Sequence, residues 1–343
     1  MKKYRCPVCI STKNVVKFGY RRKSHRFFCK TCSKHFSVNP HYTNTKSVMI
    51  DHLDGLSFRK LAVKYGISKS HAWNICHTEL DKLPDNNQFT HKYCDRFSSV
   101  LVVDGKYFPV KDKKYGYALL WGVDYFKHDI PVFTVAPTEN YQSWARYFSY
   151  FRIINQYPQL VVCDDNVNIK MAARARFPEV RIQTCYNHFK ENMRRSLKVR
   201  SEHTYKPFMR RIETIIDSSH KLSETNYNDW LHCLWRDYHH DPICLEVMAT
   251  IQRYTSELRA YEGTRGSPTT TNIIEGFNSH LEARLQALRS FQSVKHARLW
   301  MNGYILKRRY TKWTDCTGKF KKLNGTRGVD HTKKHGIVLP TFF

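Results

Sequence analysis

Long hydrophobic runs are missing from this chain. Nowhere in its 343 residues does an uninterrupted apolar stretch approach the ~20 residues of a membrane-spanning helix, and the opening MKKYRCPVC has none of the apolar core of a secretory leader. No basic amphipathic helix lies next to a lipidation signal, so a membrane surface explains the charge poorly. Internal repeats and low-complexity tracts are also missing, which argues against a solenoid or a disordered linker protein. Cysteine is not laid out as a disulfide framework: of 11, four fall in the first 32 residues and the rest are scattered singly, which fits a reducing cytosol. Acidic residues are scarce, 29 Asp plus Glu against 57 Lys plus Arg, leaving a net charge of +28. With 14% aromatic residues and basic stretches along the whole length, the expected partner is a polyanion, most simply nucleic acid. A soluble, unexported protein of the cytoplasm, associated with the nucleoid, is expected.

The first cysteines are informative. Cys6-Pro-Val-Cys9 and Cys29-Lys-Thr-Cys32 are paired CxxC knuckles, and four soft thiolates at this spacing suit tetrahedral Zn²⁺. Residues 1–40 are therefore predicted to form a zinc ribbon, with VVKFGYRRKSHRFF as its strands. His25 and His35 lie close by, but four thiolates already complete the shell. Arg21, Arg22, Lys23, Arg26, Lys30 and Lys34 are its candidate phosphate contacts; the bland alternative is a solvated face.

Residues 41–82 carry two short helical patterns. Leu56, Leu61, Ala62 and Tyr65 form one apolar stripe, Gly66 permits a turn, and Ser68 can cap a second helix bearing Ala72, Trp73, Ile75 and Cys76. This predicts a helix-turn-helix, though other αα-hairpins share the pattern. If it reads DNA, Lys69, Ser70, His71 and Asn74 should face the major groove. KLPDNNQ, 82–88, resembles a linker.

From residue 97 the composition becomes strand-like: SSVLVVDGKYFPV, YGYALLWGVDYF and IPVFTVAP, then the helix ENYQSWARYFSYFRII, the strand QLVVCD, a helix through IKMAARARF, the strand VRIQTCY and a helix from about Asn187. In ENYQSWARYFSYFRII, Trp144, Phe148 and Phe151 recur at core spacing. Three strands, a helix, then strand-helix-strand-helix is the element order of an RNase H-like core, although other α/β sheets share parts of it. The predicted fold class is α/β: an RNase H-like catalytic core (95–200 and 265–312) with an α-helical insertion (201–264), preceded by the two N-terminal modules. The last segment, 313–343, is basic and turn-rich, the composition of a tail that orders on DNA.

Three acids stand out. Asp104 ends the apolar run SSVLVV, Asp164 ends QLVVC, and Glu275 lies in the helical TTTNIIEGFNSHLEARL. An acid leaving a buried strand sits at the sheet edge, where it can meet a metal. Asp104 precedes Gly105 and could be a turn residue instead. Asp165 is adjacent to Asp164, but alternation sends only one of them into a site; Asp164 is chosen, with Asp165 as the N-cap of the next helix. Glu275 could merely form a capping box with Asn272. Against that, Ile274, Phe277, Leu281, Leu285 and Leu288 define a buried stripe, leaving Glu275, Asn278, Ser279 and Glu282 on another face. Asp112, Asp124, Asp129 and Glu139 rank lower, as turn or helix-start acids. Hard oxygen ligands suggest Mg²⁺ or Mn²⁺ at Asp104, Asp164 and Glu275.

VVDGKYFPVK, VVCDDNVNIKMAARARFPEVRIQTCYNHFKENMRR and TTTNIIEGFNSHLEARL, with Cys185-Tyr-Asn-His188, together resemble insertion-sequence transposases of the Mutator-like group, a DDE class. The resemblance covers roughly 97–312. It implies a polynucleotidyl transferase that binds terminal inverted repeats as a homodimer or larger assembly on double-stranded DNA, cleaves there, and transfers the 3′-hydroxyl to target DNA by two-metal chemistry. Asp104, Asp164 and Glu275 would be the catalytic acids, and Cys185 and His188 an accessory pair beside them. Read from the residues alone, that pair is equally a buried cysteine with a hydrogen-bonded histidine. Asp165 stands where the group more often has Gly, which leaves Asp164 and Asp165 open by one residue. The rival functions are a non-catalytic DNA-binding regulator and a nuclease or resolvase of the same fold.

Overall fold

The computed structural model describes residues 4–21, 24–38, 44–219 and 223–343. The chain divides into two compact units, 1–79 and 80–343.

In the first unit, strands β1 (Val15–Arg21), β2 (Ser24–Cys29) and β3 (Lys34–Val38) form an antiparallel sheet. Phe27 is buried there between Tyr4 and Phe36. Three helices follow: α1 (Thr45–Leu53), α2 (Phe58–Tyr65) and α3 (Lys69–Asp81). Each start has an oxygen that accepts a free backbone N–H, from Asn44 to Ser47 (3.3 Å), Ser57 to Lys60 (3.4 Å) and Ser68 to His71 (3.1 Å). Gly66 ends α2 at φ 62°, a left-handed conformation that glycine enters without a Cβ penalty. Val48 of α1 joins Leu61, Ala72, Ile75 and Cys76 in one small core. Trp73 differs from expectation: it is 42% exposed and stacks on His77. The buried stripe of this part of α3 runs through Ala72, Ile75 and Cys76, and position 73 lies one helical step, about 100°, round from Ala72 on its flank.

The second unit opens with α4 (Asn86–Tyr93), where the sequence resembles a linker. Asp85 caps it, and Asn86 and Asn87 are buried. Asn87 donates to the Phe133 carbonyl (3.0 Å) and accepts from the Phe133 N–H (3.1 Å). The polar residues thus serve as interior hydrogen-bond partners for a neighbouring strand.

A five-stranded mixed sheet follows, ordered β6-β5-β4-β7-β8. Strands β4 (Val100–Val110), β5 (Lys113–Asp124) and β6 (Phe133–Ala136) are antiparallel neighbours; β7 (Leu160–Cys163) and β8 (Arg181–Thr184) run parallel to β4. Alternate residues serve opposite faces. Leu101, Val103, Val161, Cys163 and Ile182 point to the core made by α5 (Tyr141–Ile153) and α6 (Val167–Arg176), with Trp144, Tyr147, Phe148 and Phe151 inside it. On the other face Trp121 of β5 packs edge-on to Phe277 of α11 (Asn272–Leu288).

Helix α7 (Tyr186–Ser196) leaves β8 and builds a second core with α8 (Lys206–Ser218), α9 (Glu224–Tyr238) and α10 (Pro242–Leu258). Helices α8 to α10 lie in the chain between Asp164 and Glu275. Glu257 of α10 ties them to the sheet domain, accepting from Lys170 (2.6 Å), Arg174 (2.6 Å) and Thr184 (2.8 Å).

The end of the chain departs from the expected tail. After α12 (Val294–Tyr310), residues 313–343 fold onto the second unit through the short helix α13 (Gly328–Thr332). Leu339, Phe342 and Phe343 pack with Phe89 and Tyr310, and Thr332 donates to buried Asp129. Asp129 also takes both arms of Arg309, at 2.8 Å each, and neither side chain of that pair is exposed. The basic composition hides these apolar and hydrogen-bonding anchors. Among the described residues no helix is long and apolar enough to cross a membrane.

Candidate active site

Strand register builds the site. In the parallel pair β4·β7, Val102 sits beside Val162, so two further residues bring Asp104 level with Asp164. In β7·β8, Cys163 sits beside Thr184, so Asp164 comes level with Cys185. Side chains at equal register in parallel strands leave by one face, about 4.8 Å apart. Asp104, Asp164 and Cys185 therefore fall in one row on the face that α11 covers, just past the ends of β7 and β8 but midway along β4, which runs on to Val110 instead of ending at Asp104 as expected.

Neighbours hold each acid in place. Asp104 Oδ2 accepts from Asn278 Nδ2 (2.6 Å) and Oδ1 from the Gly105 N–H (2.8 Å). Asn278 is steadied in turn by Trp121 Nε1 (3.1 Å), and Trp121 pairs with Asp104 across β4·β5. Asp164 Oδ1 accepts from the Asn166 N–H (3.2 Å). Asn166, rather than the expected Asp165, caps α6 through the N–H of Asn168 (2.9 Å). Asp165 turns away, as alternation requires, to Lys170 (2.6 Å) and Tyr254 (3.1 Å).

Glu275 lies in the first turn of α11, but Thr271, not Asn272, is the N-cap. Asn272 instead accepts from Asn187 (3.0 Å), so the capping box with Glu275 does not form. The Thr271 hydroxyl is 2.7 Å from Glu275 Oε1, 3.2 Å from Cys185 Sγ and 3.5 Å from His188 Nδ1. Its one proton can serve only one of them at a time. Ligand atoms of Cys185, His188 and Glu275 all fall within 4.8 Å of one another. Glu275, Asn278, Ser279, Glu282 and Lys106 line an open cleft of about 410 Å³. Of the expected buried stripe, Ile274, Phe277, Leu281 and Leu285 are buried and Leu288 is half-buried.

The electrostatics are those of a buried cluster of acids beside one histidine. Burial, with the charges of Asp164 and Glu139 adding to it, pushes the Asp104 carboxyl up to about 7. Asp164 and Glu139 are raised too, chiefly by burial. His188 is pushed up to about 9, first by its hydrogen bond with Cys185 and then by Cys185, Asp164 and Glu275 as negative neighbours. For Cys185 burial acts upward, but the hydrogen bonds from His188 and Thr271 outweigh it and lower the thiol.

Glu139 ranked low in the sequence, as a helix-start acid, yet the fold brings it here. Its Oε1 accepts from Trp144 Nε1 (3.2 Å) and Asn166 Nδ2 (3.0 Å). The only sequence signal is its place just after the third strand of the sheet.

Among the described residues no Lys or Arg pairs with Asp104, Asp164 or Glu139, in a chain with 57 such cations. Some other buried or half-buried acids do have one, as Asp165 has Lys170, Glu257 has Lys170 and Arg174, and Asp129 has Arg309, whereas buried Asp124 is held instead by Ser98 and backbone N–H donors. Asp104, Asp164 and Glu139 are hard oxygen donors of the kind Mg²⁺ takes, and the one cationic side chain that strongly offsets Asp164 is His188.

At the N-terminus, Cys6 and Cys32 sulfurs lie 3.5 Å apart, Cys9 and Cys29 3.4 Å, and all four within 4.8 Å. Tetrahedral Zn²⁺ with Zn–S of about 2.3 Å places sulfurs about 3.8 Å apart, so the quartet is compatible with zinc. Arg26 lies over the Phe18 ring, 5.5 Å from its centre, and Lys30 and Lys34 are exposed. Arg22 and Lys23 lie outside the described residues, as does the side chain of Arg21. Lys69, Ser70, His71 and Asn74 are all exposed on α3.

No curated protein matches the chain. Among solved structures it is similar, at 14% identity, to a chain of the simian T-cell lymphotropic virus intasome in complex with PP2A regulatory subunit B56 gamma, over 66% of this chain and 77% of that one, with a TM-score of 0.23. It is similar, at 13% identity, to a chain of the Mos1 transposase paired-end complex with left transposon end, over 67% and 82%, with a TM-score of 0.19. Likenesses that faint carry no argument. The family described as Transposase, Mutator family matches residues 45–313, a span from α1 through every strand of the five-stranded sheet to the end of α12 and just beyond. The chain accordingly belongs to the Mutator family of transposases.

Proposed function

We propose that this transposase cleaves double-stranded DNA at the terminal repeats of its element and joins the freed 3′ ends to target DNA. In this reading the five-stranded sheet is an RNase H-like core, and Asp104, Asp164 and Glu275 are the acids that hold Mg²⁺ or Mn²⁺. The observation that carries the reading is the register row across β4, β7 and β8, in which Asp104, midway along β4, and Asp164, at the exit of β7, lie on the same face under α11.

Divalent ions held there would activate a water or 3′-hydroxyl and steady the leaving oxygen. The chain's own part is preorganisation: Asn278 and the Gly105 N–H orient Asp104, the Asn166 N–H orients Asp164, and Thr271 orients Glu275. His188 beside Asp164 and Glu275 offers a donor to a phosphate oxygen. The helix pair α2–α3 serves as a helix-turn-helix, with Lys69, Ser70, His71 and Asn74 towards the groove. The Cys6, Cys9, Cys29 and Cys32 quartet holds structural zinc, and its basic ribbon adds phosphate contacts. Two element ends held together call for a dimer or larger assembly on DNA, in the nucleoid.

The test is cleavage and strand transfer on a duplex carrying the element end, with Mg²⁺. Asp104→Ala and Glu275→Ala are expected to abolish both steps while end binding stays within about threefold, because ligand loss deletes chemistry but not the remote phosphate contacts. Asp165→Asn should retain cleavage. Cleavage that survives Asp104→Ala contradicts the site, and a wild type that binds ends but never nicks them supports a regulator instead.

A further inference from the structure

We propose that Glu139 is a fourth carboxylate of the divalent-ion pocket, presenting Oε2 beside Asp104 and Asp164; this rests on the pocket described above. Asp104 and Asp164 leave their strands on the α11 face. Glu139 comes from the other side, out of the turn between β6 and α5, and reaches the same stretch of β4 because position 105 has no side chain. A Cβ on Gly105 would lie 2.5 Å from Glu139 Oε2 and 2.6 Å from its Cδ, so the carboxylate fills the space a side chain would need.

The carboxylate is also aimed. Trp144 Nε1 and Asn166 Nδ2 both donate to Oε1, and among the described residues no hydrogen bond reaches Oε2. Asn166 coordinates two acids at once: its backbone N–H holds Asp164 and its side-chain amide holds Glu139. The Glu139 N–H, for its part, donates to the Tyr107 hydroxyl at 3.0 Å, anchoring the turn to β4. A carboxylate fixed through one oxygen, within the field of the like-charged Asp104 and Asp164 and with no Lys or Arg paired with it among the described residues, is costly unless a cation joins them. A purely structural helix-start acid would need neither the glycine nor the company of Asp104.

Mn²⁺ binding to the full chain, followed by electron paramagnetic resonance at one fixed pH, separates the possibilities without relying on turnover. Glu139→Gln keeps the size and the Trp144 contact, and should weaken Mn²⁺ by about tenfold or more. Gly105→Ala retains every acid but displaces the flexible end of Glu139, and should weaken Mn²⁺ similarly. In the Glu139→Gln background Gly105→Ala should add nothing, since both changes remove one contact. Wild-type affinity in Glu139→Gln, alongside loss in Asp104→Asn, would overturn the role of Glu139 and leave the pocket standing. Equal losses from Gly105→Ala in both backgrounds would overturn it too. Wild-type affinity in Asp104→Asn would remove the pocket itself, and Glu139 as its ligand with it.

Discussion

Replacing Asp104 with Asn should make the metal-free protein more stable while ending its chemistry. The Asp104 carboxyl moves from an ordinary 3.8 to about 7 in the fold, chiefly through burial. At 1.36 kcal/mol per unit this sets an upper limit of about 4 kcal/mol on the penalty of ionising it in the folded state. The sign follows from proton linkage. Between about pH 4 and pH 7 the folded chain holds a proton that the unfolded chain has released, so stability falls as pH rises through that window and the full penalty applies above it. Asp164 and Glu139 share the same field, so the part assignable to Asp104 alone is smaller. The amide of Asn keeps an acceptor for the Gly105 N–H but loses the bond to Asn278 if its nitrogen faces that side, a cost of about 1 kcal/mol. A net gain of roughly 1–2 kcal/mol at pH 8 is expected on these terms. Urea unfolding in EDTA, followed by tryptophan fluorescence, measures it. Trp73 is the only tryptophan before residue 80, so the signal reports mainly the larger unit. The midpoint should rise in Asp104→Asn at pH 8 with unchanged slope, and the advantage should vanish by pH 5. Mg²⁺ should then stabilise the wild type more than the variant, since a ligand stabilises only the state that binds it. A variant no more stable than wild type at pH 8 would refute the claim that burial makes the Asp104 charge costly in the fold.

Two other outcomes follow from parts of the chain remote from the acids. Asp129→Ala should destabilise the larger unit by about 3–5 kcal/mol, because it leaves the fully buried Arg309 unpaired; Asp129→Ala with Arg309→Met should cost clearly less, and equal losses in the two would show that the pair's charge is not what matters. Cys29→Ser, or chelation of zinc, should unfold the ribbon and weaken binding to the element end while the unfolding midpoint of the larger unit stays put, the two units being separately compact; unchanged end binding would remove the ribbon from recognition.

Much of the core was legible because its strands are buried on both faces. SSVLVV and QLVVC are apolar without interruption, so the acids that end them stood out, and the order of strands and helices gave the α/β sheet. Features that depend on a distant partner were not legible. Glu139 looks like any helix-start acid until Gly105, on another strand, is seen to make room for it. Pro84, Asp85, Asn86 and Asn87 have the composition of a linker, yet Asn86 and Asn87 are buried, held by the backbone of Pro131 and Phe133 and by Asn302 and Arg309, all far along the chain. The basic end resembles a loose tail because Lys dominates it, while its anchors are few: Val329, Thr332, Leu339 and the two terminal Phe residues. Trp73 misled for a different reason: its size suggested core, whereas the helical phase of Ala72, Ile75 and Cys76 puts it outside.

The choice between Asp164 and Asp165 shows how far simple alternation reaches. Two adjacent acids at a strand end cannot serve the same face. The α5–α6 core already claims Val161 and Cys163, which fixes the parity of β7 and assigns Asp164 to the face of Val162. Asp165 then falls to the side where Lys170 and Tyr254 wait, and its charge is met there. Applied one strand further, the same parity puts Cys185 on the face of Asp164, with His188 one helical turn on and within reach of Glu275. The Cys-x-x-His spacing is therefore what a strand end followed at once by a helix N-terminus needs if both side chains are to meet the row of acids. That geometry binds the accessory pair and the proposed pocket into one electrostatic unit, so a change at His188 should be felt at Asp164 and Glu275 alike.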